Sequence, residues 1–230
     1  YQVIDAQFDM PQSQFHLAPA TSFLRLHGLE QYGDDLSSFR FTVLAANAEK
    51  RAVSGLEIGR GGLGVRGVVP VTYQGRHIGT VEFGPNVDLT MIEELKNEFG
   101  VDWQILLERN AAEIATFQGV VGETQGPIEE ILIQASTLGT PFFAPESNYV
   151  QALAGVPGVE HINFEDREYA IYSAPLYDFS GKVIGVIDII SDHTAIAQQQ
   201  NTQILLSVGI FLITLLIISL GFSYFASQTL

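Results

Sequence analysis

Six of the eight arginines lie in the first 90 residues. Four of them, Arg25, Arg40, Arg60 and Arg66, stand with His16, His27 and Glu57 among glycine-rich, β-branched segments. A guanidinium fork matches a carboxylate bidentately, and one turned into a partly dry cavity calls for an anion. Alternation along Ser22 to His27 puts Arg25 and His27 on one face of a strand, away from Leu24 and Leu26. The candidate ligand-binding residues are therefore Arg25, His27, Arg40, Glu57, Arg60 and Arg66, and the ligand they suit is a small carboxylate. The competing reading leaves the same arginines on the surface, or paired with Asp34, Asp35, Glu57 or Glu82.

Other chemistries find less support. Gly59-Arg60-Gly61-Gly62-Leu63-Gly64 matches G-x-G-x-x-G, but a dinucleotide site needs those glycines to open a helix. Here they run into Val65-Arg66-Gly67-Val68-Val69-Pro70-Val71, so they read as a turn or a close backbone approach. No Lys-Ser/Thr follows to make a phosphate loop, and no G-x-S-x-G elbow exists. The five histidines show no metal-ligand spacing, and the absence of cysteine removes thiolate nucleophiles and Cys-based zinc sites. Glu82 and Asp188 end equivalent strands, where strand-end pairing competes with an acid/base role. The expectation is no enzyme, no cofactor and no metal.

The elements that must carry these residues are organised by an internal repeat. Pro70-Val71-Thr72-Tyr73-Gln74-Gly75-Arg76-His77-Ile78-Gly79-Thr80-Val81-Glu82-Phe83 recurs, with one inserted residue, as Pro175-Leu176-Tyr177-Asp178-Phe179-Ser180-Gly181-Lys182-Val183-Ile184-Gly185-Val186-Ile187-Asp188-Ile189. Each copy reads as strand, Gly-containing turn, basic residue, Ile-Gly and a strand ending in a carboxylate. Two unrelated hairpins sharing popular turn residues are the alternative to duplication. In the first copy, strands are predicted at 14–17, 22–27, 53–60, 63–73 and 77–84. A helix capped by Asp34 or Asp35 is predicted along Leu36, Phe39, Val43 and Ala46. In the second, a helix over 89–99 precedes a strand over 101–108. Pro127 is expected to start a helix through Leu138, and strands come next at 159–165, 169–177 and 183–190. Helices grouped beside runs of strands give an α+β fold in each half.

Charge obeys the same division. Residues 1–90 hold 7 basic and 9 acidic side chains, whereas 91–200 hold 4 and 17. A net charge of −15 on a chain 47% hydrophobic excludes an acidic disordered tail and argues against nucleic acid as a partner. After His193 no charged residue occurs, and 204–226 (ILLSVGIFLITLLIISLGFSYFA) is almost continuously apolar, long enough for a transmembrane helix. A buried core helix is the alternative. Residues 194–203 read as a polar helical stalk. The chain opens at Tyr1 without a signal-like segment, as an internal piece of a longer protein would.

The runs Phe15 to His27, Gly33 to Arg40, Ser54 to Arg60 and Gly62 to Val71 resemble the extracytoplasmic double Cache sensor domains of bacterial chemoreceptors and sensor histidine kinases. The resemblance is specific over about 14–84 and weaker beyond. It implies two tandem PAS-like modules of antiparallel sheet with flanking helices, here 1–88 (membrane-distal) and 89–193 (membrane-proximal). It also implies a long N-terminal helix after a first membrane span, and HAMP and output domains beyond Leu230. The resemblance further implies small-molecule sensing by the distal module, a homodimer, a lipid bilayer as partner and a periplasmic head on the inner membrane. The opposing reading is a membrane-anchored adhesion or protein-interaction module without a small-molecule pocket.

Overall fold

A computed structural model describes residues 10–115 and 125–228, the side chains of 201 and 216–228 excepted. Two five-stranded antiparallel sheets dominate it. The first contains β1 (Gln12–Leu17), β2 (Thr21–Arg25), β3 (Val53–Gly59), β4 (Gly62–Tyr73) and β5 (Arg76–Gly84), in the order β2-β1-β5-β4-β3. The second contains β6 (Asp102–Glu108), β7 (Ile131–Ser136), β8 (Gly158–Phe164), β9 (Arg167–Tyr177) and β10 (Val183–Asp192), in the order β7-β6-β10-β9-β8. The two orders are the same permutation, as duplication of one unit would give. The repeated segments occupy the matching hairpins β4–β5 and β9–β10.

The glycines of the repeated Ile-Gly pair show why the motif recurs. A Cβ on Gly79 would stand 2.0 Å from the His16 carbonyl oxygen, and one on Gly185 would stand 2.1 Å from that of Leu106. In both sheets the central strand comes this close to its neighbour, which only glycine permits.

Helix α1 (Phe41–Glu49) covers one face of the first sheet, burying Thr42, Val43, Ala46 and Asn47. Ala20, Leu36, Val43, Ala46, Val53 and Val68 form the apolar part of that interior. Helix α2 (Leu89–Phe99) starts where the Asp88 carboxylate accepts from the Met91 amide and ends at Gly100 in the left-handed region, φ 70°. Its Ile92 joins Ile105, Leu107, Leu132, Ala135 and Ile184 in the larger core, together with Ile58, Leu63 and Val87. A one-turn helix, α3 (Arg109–Ala112), and α4 (Glu146–Leu153) complete this part. Contacts divide the chain into two compact units, Tyr1–Glu160 with Ile171–Ser191 and His161–Ala170 with Asp192–Leu230.

Three expectations need correction. The helix expected to open at Asp34 or Asp35 begins at Phe41, because Asp35 spends its carboxylate on Ser37 within a tight turn and the Leu36 amide is held by the Ala20 carbonyl. The helix expected from Pro127 to Leu138 is instead strand β7, whose buried Ile-Leu-Ile run pairs with the C-terminal half of β6. Strand β2 stops at Arg25, so His27 lies in the turn after it. Helix α4 has no counterpart among the elements expected from sequence.

Helix α5 (Thr194–Gln228) runs through the polar stalk and the apolar tract. Among the described residues no helix is long and apolar enough to cross a membrane. The side chains of 216–226, half of the expected span, lie outside the described residues.

Candidate functional site

The register of the first sheet decides which side chains meet beneath α1. Gln14 stands opposite Glu82 and His16 opposite Thr80 across β1–β5; Val68 stands opposite Glu82 across β4–β5. Gly55 stands opposite Arg66 and Glu57 opposite Gly64 across β3–β4. With period-two alternation, one face therefore presents Gln14, His16, Glu57, Arg66, Thr80 and Glu82 together. Helix-on-sheet interfaces are ordinarily apolar; this one is paved with polar groups, each at most 4% exposed.

Ion pairs and hydrogen bonds hold them. Arg40, the residue preceding α1, donates from Nε to Glu57 Oε2 at 2.9 Å and from its terminal nitrogen to Glu82 Oε2. Glu57 also accepts from the Thr42 amide (2.9 Å) and hydroxyl (2.6 Å), so its carboxylate anchors the first turn of α1. Arg66 is fully buried. Its terminal nitrogens donate to the carbonyls of Gly62 (3.1 Å) and Gly84 (3.5 Å), while its Nε lacks a hydrogen-bond partner and stands 3.8 Å from Glu82 Oε1. His16 bonds the Thr80 hydroxyl through Nδ1 (3.1 Å), and its Nε2, also without a hydrogen-bond partner, faces Glu82 at 3.7 Å.

Burial alone would raise the Glu82 pKa, but Arg40, Arg66 and His16 hold it below the ordinary carboxylate range. Burial pushes His16 down to about 4 despite the attraction of Glu82, so the imidazole is neutral at pH 7. Burial also lowers Arg66 to about 10, against the pull of Glu82.

A second group lies toward β2. Arg25, buried, makes a fork with Asp34, both contacts 2.8 Å, and donates to the Gln31 carbonyl at 2.7 Å. Arg60 reaches the same Asp34 from Nε at 2.8 Å and lies over the Phe39 ring, 5.5 Å from its centre. His27 shares its Nδ1 with the Ser13 backbone at 3.2 Å, and burial lowers its pKa. A cavity of about 390 Å³ opens beside it, walled by Gln12, His27, Gly28, Gln31, Gly61 and Asn86 among others.

Thus all six sequence-selected residues fall in the first sheet and its covering segments. Arg40, Glu57 and Arg66 share one buried network, Arg25 and Arg60 converge on Asp34, and His27 alone lines the cavity. Sequence reasoning passed over Gln12, Gln14, Thr80 and Asn47, and it placed Glu82 at a strand end or as a partner of the arginines without making it a site residue. Gln12 and Gln14 alternate with Ser13, Phe15 and Leu17 as polar residues of a solvent-facing strand would, so no local signal marks them. The G-x-G-x-x-G glycines acquire a reason here. A Cβ on Gly64 would be 2.5 Å from the Arg66 guanidinium carbon, one on Gly61 2.5 Å from the Gln12 amide nitrogen, and one on Gly59 3.3 Å from Arg40. They clear room for the polar side chains, not for a pyrophosphate. Among the described residues no cluster of His, Asp or Glu is placed to hold a metal ion.

Comparison with known proteins then places the molecule. The family described as the double sensory domain of two-component sensor kinases matches residues 2–196. The chain belongs to this double Cache family. No curated protein matches it by sequence. Among solved structures it is similar to an extracellular ligand-binding receptor from Desulfohalobium retbaense, with TM-score 0.41 and 14% identity over 82% of this chain and 32% of that one. It is similar to the sensor domain of the V. cholerae histidine kinase DctB, with TM-score 0.40 and 8% identity over 83% and 75%. It is also similar to the ligand-binding domain of the Campylobacter jejuni chemoreceptor Tlp3 in complex with 4-methylisoleucine, with TM-score 0.38 and 9% identity over 83% and 68%. This Cache chain spans less than a third of the Desulfohalobium protein. The Cache family is a ligand-binding sensory module, and sensing is the role that membership assigns.

Proposed function

We propose that this chain is the periplasmic sensor region of a dimeric transmembrane receptor, and that its first module, residues 1–88, binds a small carboxylate. The observation that carries the reading is Arg66, a guanidinium with no exposed surface, an Nε without a hydrogen-bond partner and a carboxylate no nearer than 3.8 Å. Burying an ion-pair network where apolar residues would serve is neutral or costly for stability, so its presence favours a binding role. An entering carboxylate would complete the Arg66 fork, approaching from the His27 cavity, whose wall residue Gly61 adjoins the Gly62 carbonyl that Arg66 holds. The second module, residues 89–193, passes the signal to the stalk at 194–203 and the span at 204–226. The large exposed apolar side chains of Ile204, Leu205, Ile210, Phe211 and Leu212 support contact with lipid.

The test is a thermal-shift screen of the whole chain in detergent against acetate, pyruvate, succinate, citrate and the amino acids. At least one carboxylate is expected to raise the melting temperature, and the shift is expected to vanish in Arg66→Lys and weaken in His27→Ala. A chain that answers to none of them, or a shift unchanged in both variants, overturns the reading.

A further inference from the structure

The duplication puts Asp188 where the first sheet has Glu82. Each carboxylate lies three residues after its close-approach glycine, and each stands opposite a glutamine, Gln14 or Gln104. Their surroundings differ in kind. Glu82 meets Arg40, Arg66 and His16. Asp188 is just as deeply buried, yet among the described residues no Lys, Arg or His pairs with it. It accepts instead from the Ser173 hydroxyl at 2.6 Å and the Tyr149 hydroxyl at 2.9 Å.

The elements packed around Asp188 supply no compensating charge. Helix α4 contributes Tyr149, whose oxygen also accepts from the Ala144 amide at 3.0 Å. Strand β9 contributes Ser173. Strand β6 contributes Gln104, which spends its amide on the Phe142 carbonyl (3.0 Å) and its oxygen on the Ser136 hydroxyl (3.1 Å). An anion so enclosed has one inexpensive way to lose its charge, which is to take a proton.

We propose that Asp188 is a proton-binding site of the second module, its neutral form seating α4 tightly on the second sheet and its ionised form loosening it. Uptake forms one O–H bond on a carboxylate oxygen with a proton from solvent. The new O–H donates to the Ser173 hydroxyl oxygen, Tyr149 keeps donating to the other carboxylate oxygen, and the buried charge is gone. Burial sets the transition at about pH 6, partly offset by the two hydroxyl bonds. Asp188 lies on β10, the strand that the chain continues into α5, so external acidity becomes a second input, independent of any ligand in the first module. A proton shifts the two seatings only because it binds them unequally.

The experiment tracks the carboxyl carbon resonances of the whole chain in detergent from pH 4.5 to 8, together with amide exchange in Glu146–Leu153 corrected for intrinsic chemistry. One aspartate resonance should titrate near pH 6 and be missing from Asp188→Asn. Exchange in α4 should slow several-fold on acidification with the same midpoint in the wild type, and stay slow at every pH in Asp188→Asn. Tyr149→Phe, which removes one donor to the carboxylate, should raise the midpoint by about half a unit, and it decides the matter should Asp188→Asn fail to fold. Titration of Asp188 below pH 5 overturns the proposal. So does α4 exchange with the same pH profile in wild type and variants, or a midpoint that Tyr149→Phe leaves in place.

Discussion

Glu82 is shared by three cationic or potentially cationic side chains, so its removal leaves more than one group stranded. Glu82→Gln is expected to cost on the order of 3–5 kcal/mol in urea unfolding, the usual penalty for breaking a buried pair from one side. A loss below about 1 kcal/mol would show that the network contributes little to the fold. Two buried groups contribute to the pH dependence of stability with opposite signs. His16 has its pKa lowered from 6.5 to about 4, so the unfolded chain takes up a proton the fold refuses, and stability falls as pH drops through that window. Asp188 has its pKa raised from 3.8 to about 6, so the fold takes up the proton first, and stability rises as pH drops from 6 toward 3.8. At about 1.4 kcal/mol per unit each contributes on the order of 3 kcal/mol, and over the shared interval they nearly cancel. Asp188→Asn should therefore lose stability more steeply than the wild type between pH 6.5 and 4.5. Urea midpoints taken across that range measure it, and parallel profiles would contradict it.

Between elements, the closest fit lies at Gly79 and Gly185, where the middle strand of each sheet leaves no room for a methyl group beside its neighbour's carbonyl. Alanine at either site is expected to cost about 2 kcal/mol or more, in the range of overpacked cores. Gly139→Ala, with nothing within 4 Å of the new methyl, should stay within about 0.5 kcal/mol of wild type. Thermal melts of the three variants decide whether the repeated glycine is a packing requirement. The misread elements share a cause. Pro127 and the Asp34-Asp35 pair are helix-start signals, but Ile131 to Ser136 gains more by pairing with β6, and Asp35 caps a turn. Local signals yield to such tertiary pairing when the buried partner strand is supplied from elsewhere in the chain.

For the whole molecule, lipid contact is expected to reside in the tract after Gln203. A chain ending at Gln203 should remain in the supernatant after membrane sedimentation, and the full chain should pellet; co-sedimentation of both would move the contact to the sheet-bearing part. The repeat, the α+β class, most strands and the concentration of arginine in the first half could be read directly from residue order, because alternation, turn glycines and charge counts are local properties. Which carboxylate each arginine would meet could not. Arg25 and Arg66 are both strand arginines, yet folding sets one in a fork with Asp34 and leaves the other 3.8 Å from Glu82. Nor does residue order reveal that Glu82 meets two arginines while its counterpart Asp188 meets two hydroxyls. Those partners come from Arg40, Arg66, Tyr149 and Ser173, set by folding across separations of 15 to 42 residues, and only the assembled sheets and helices bring them together.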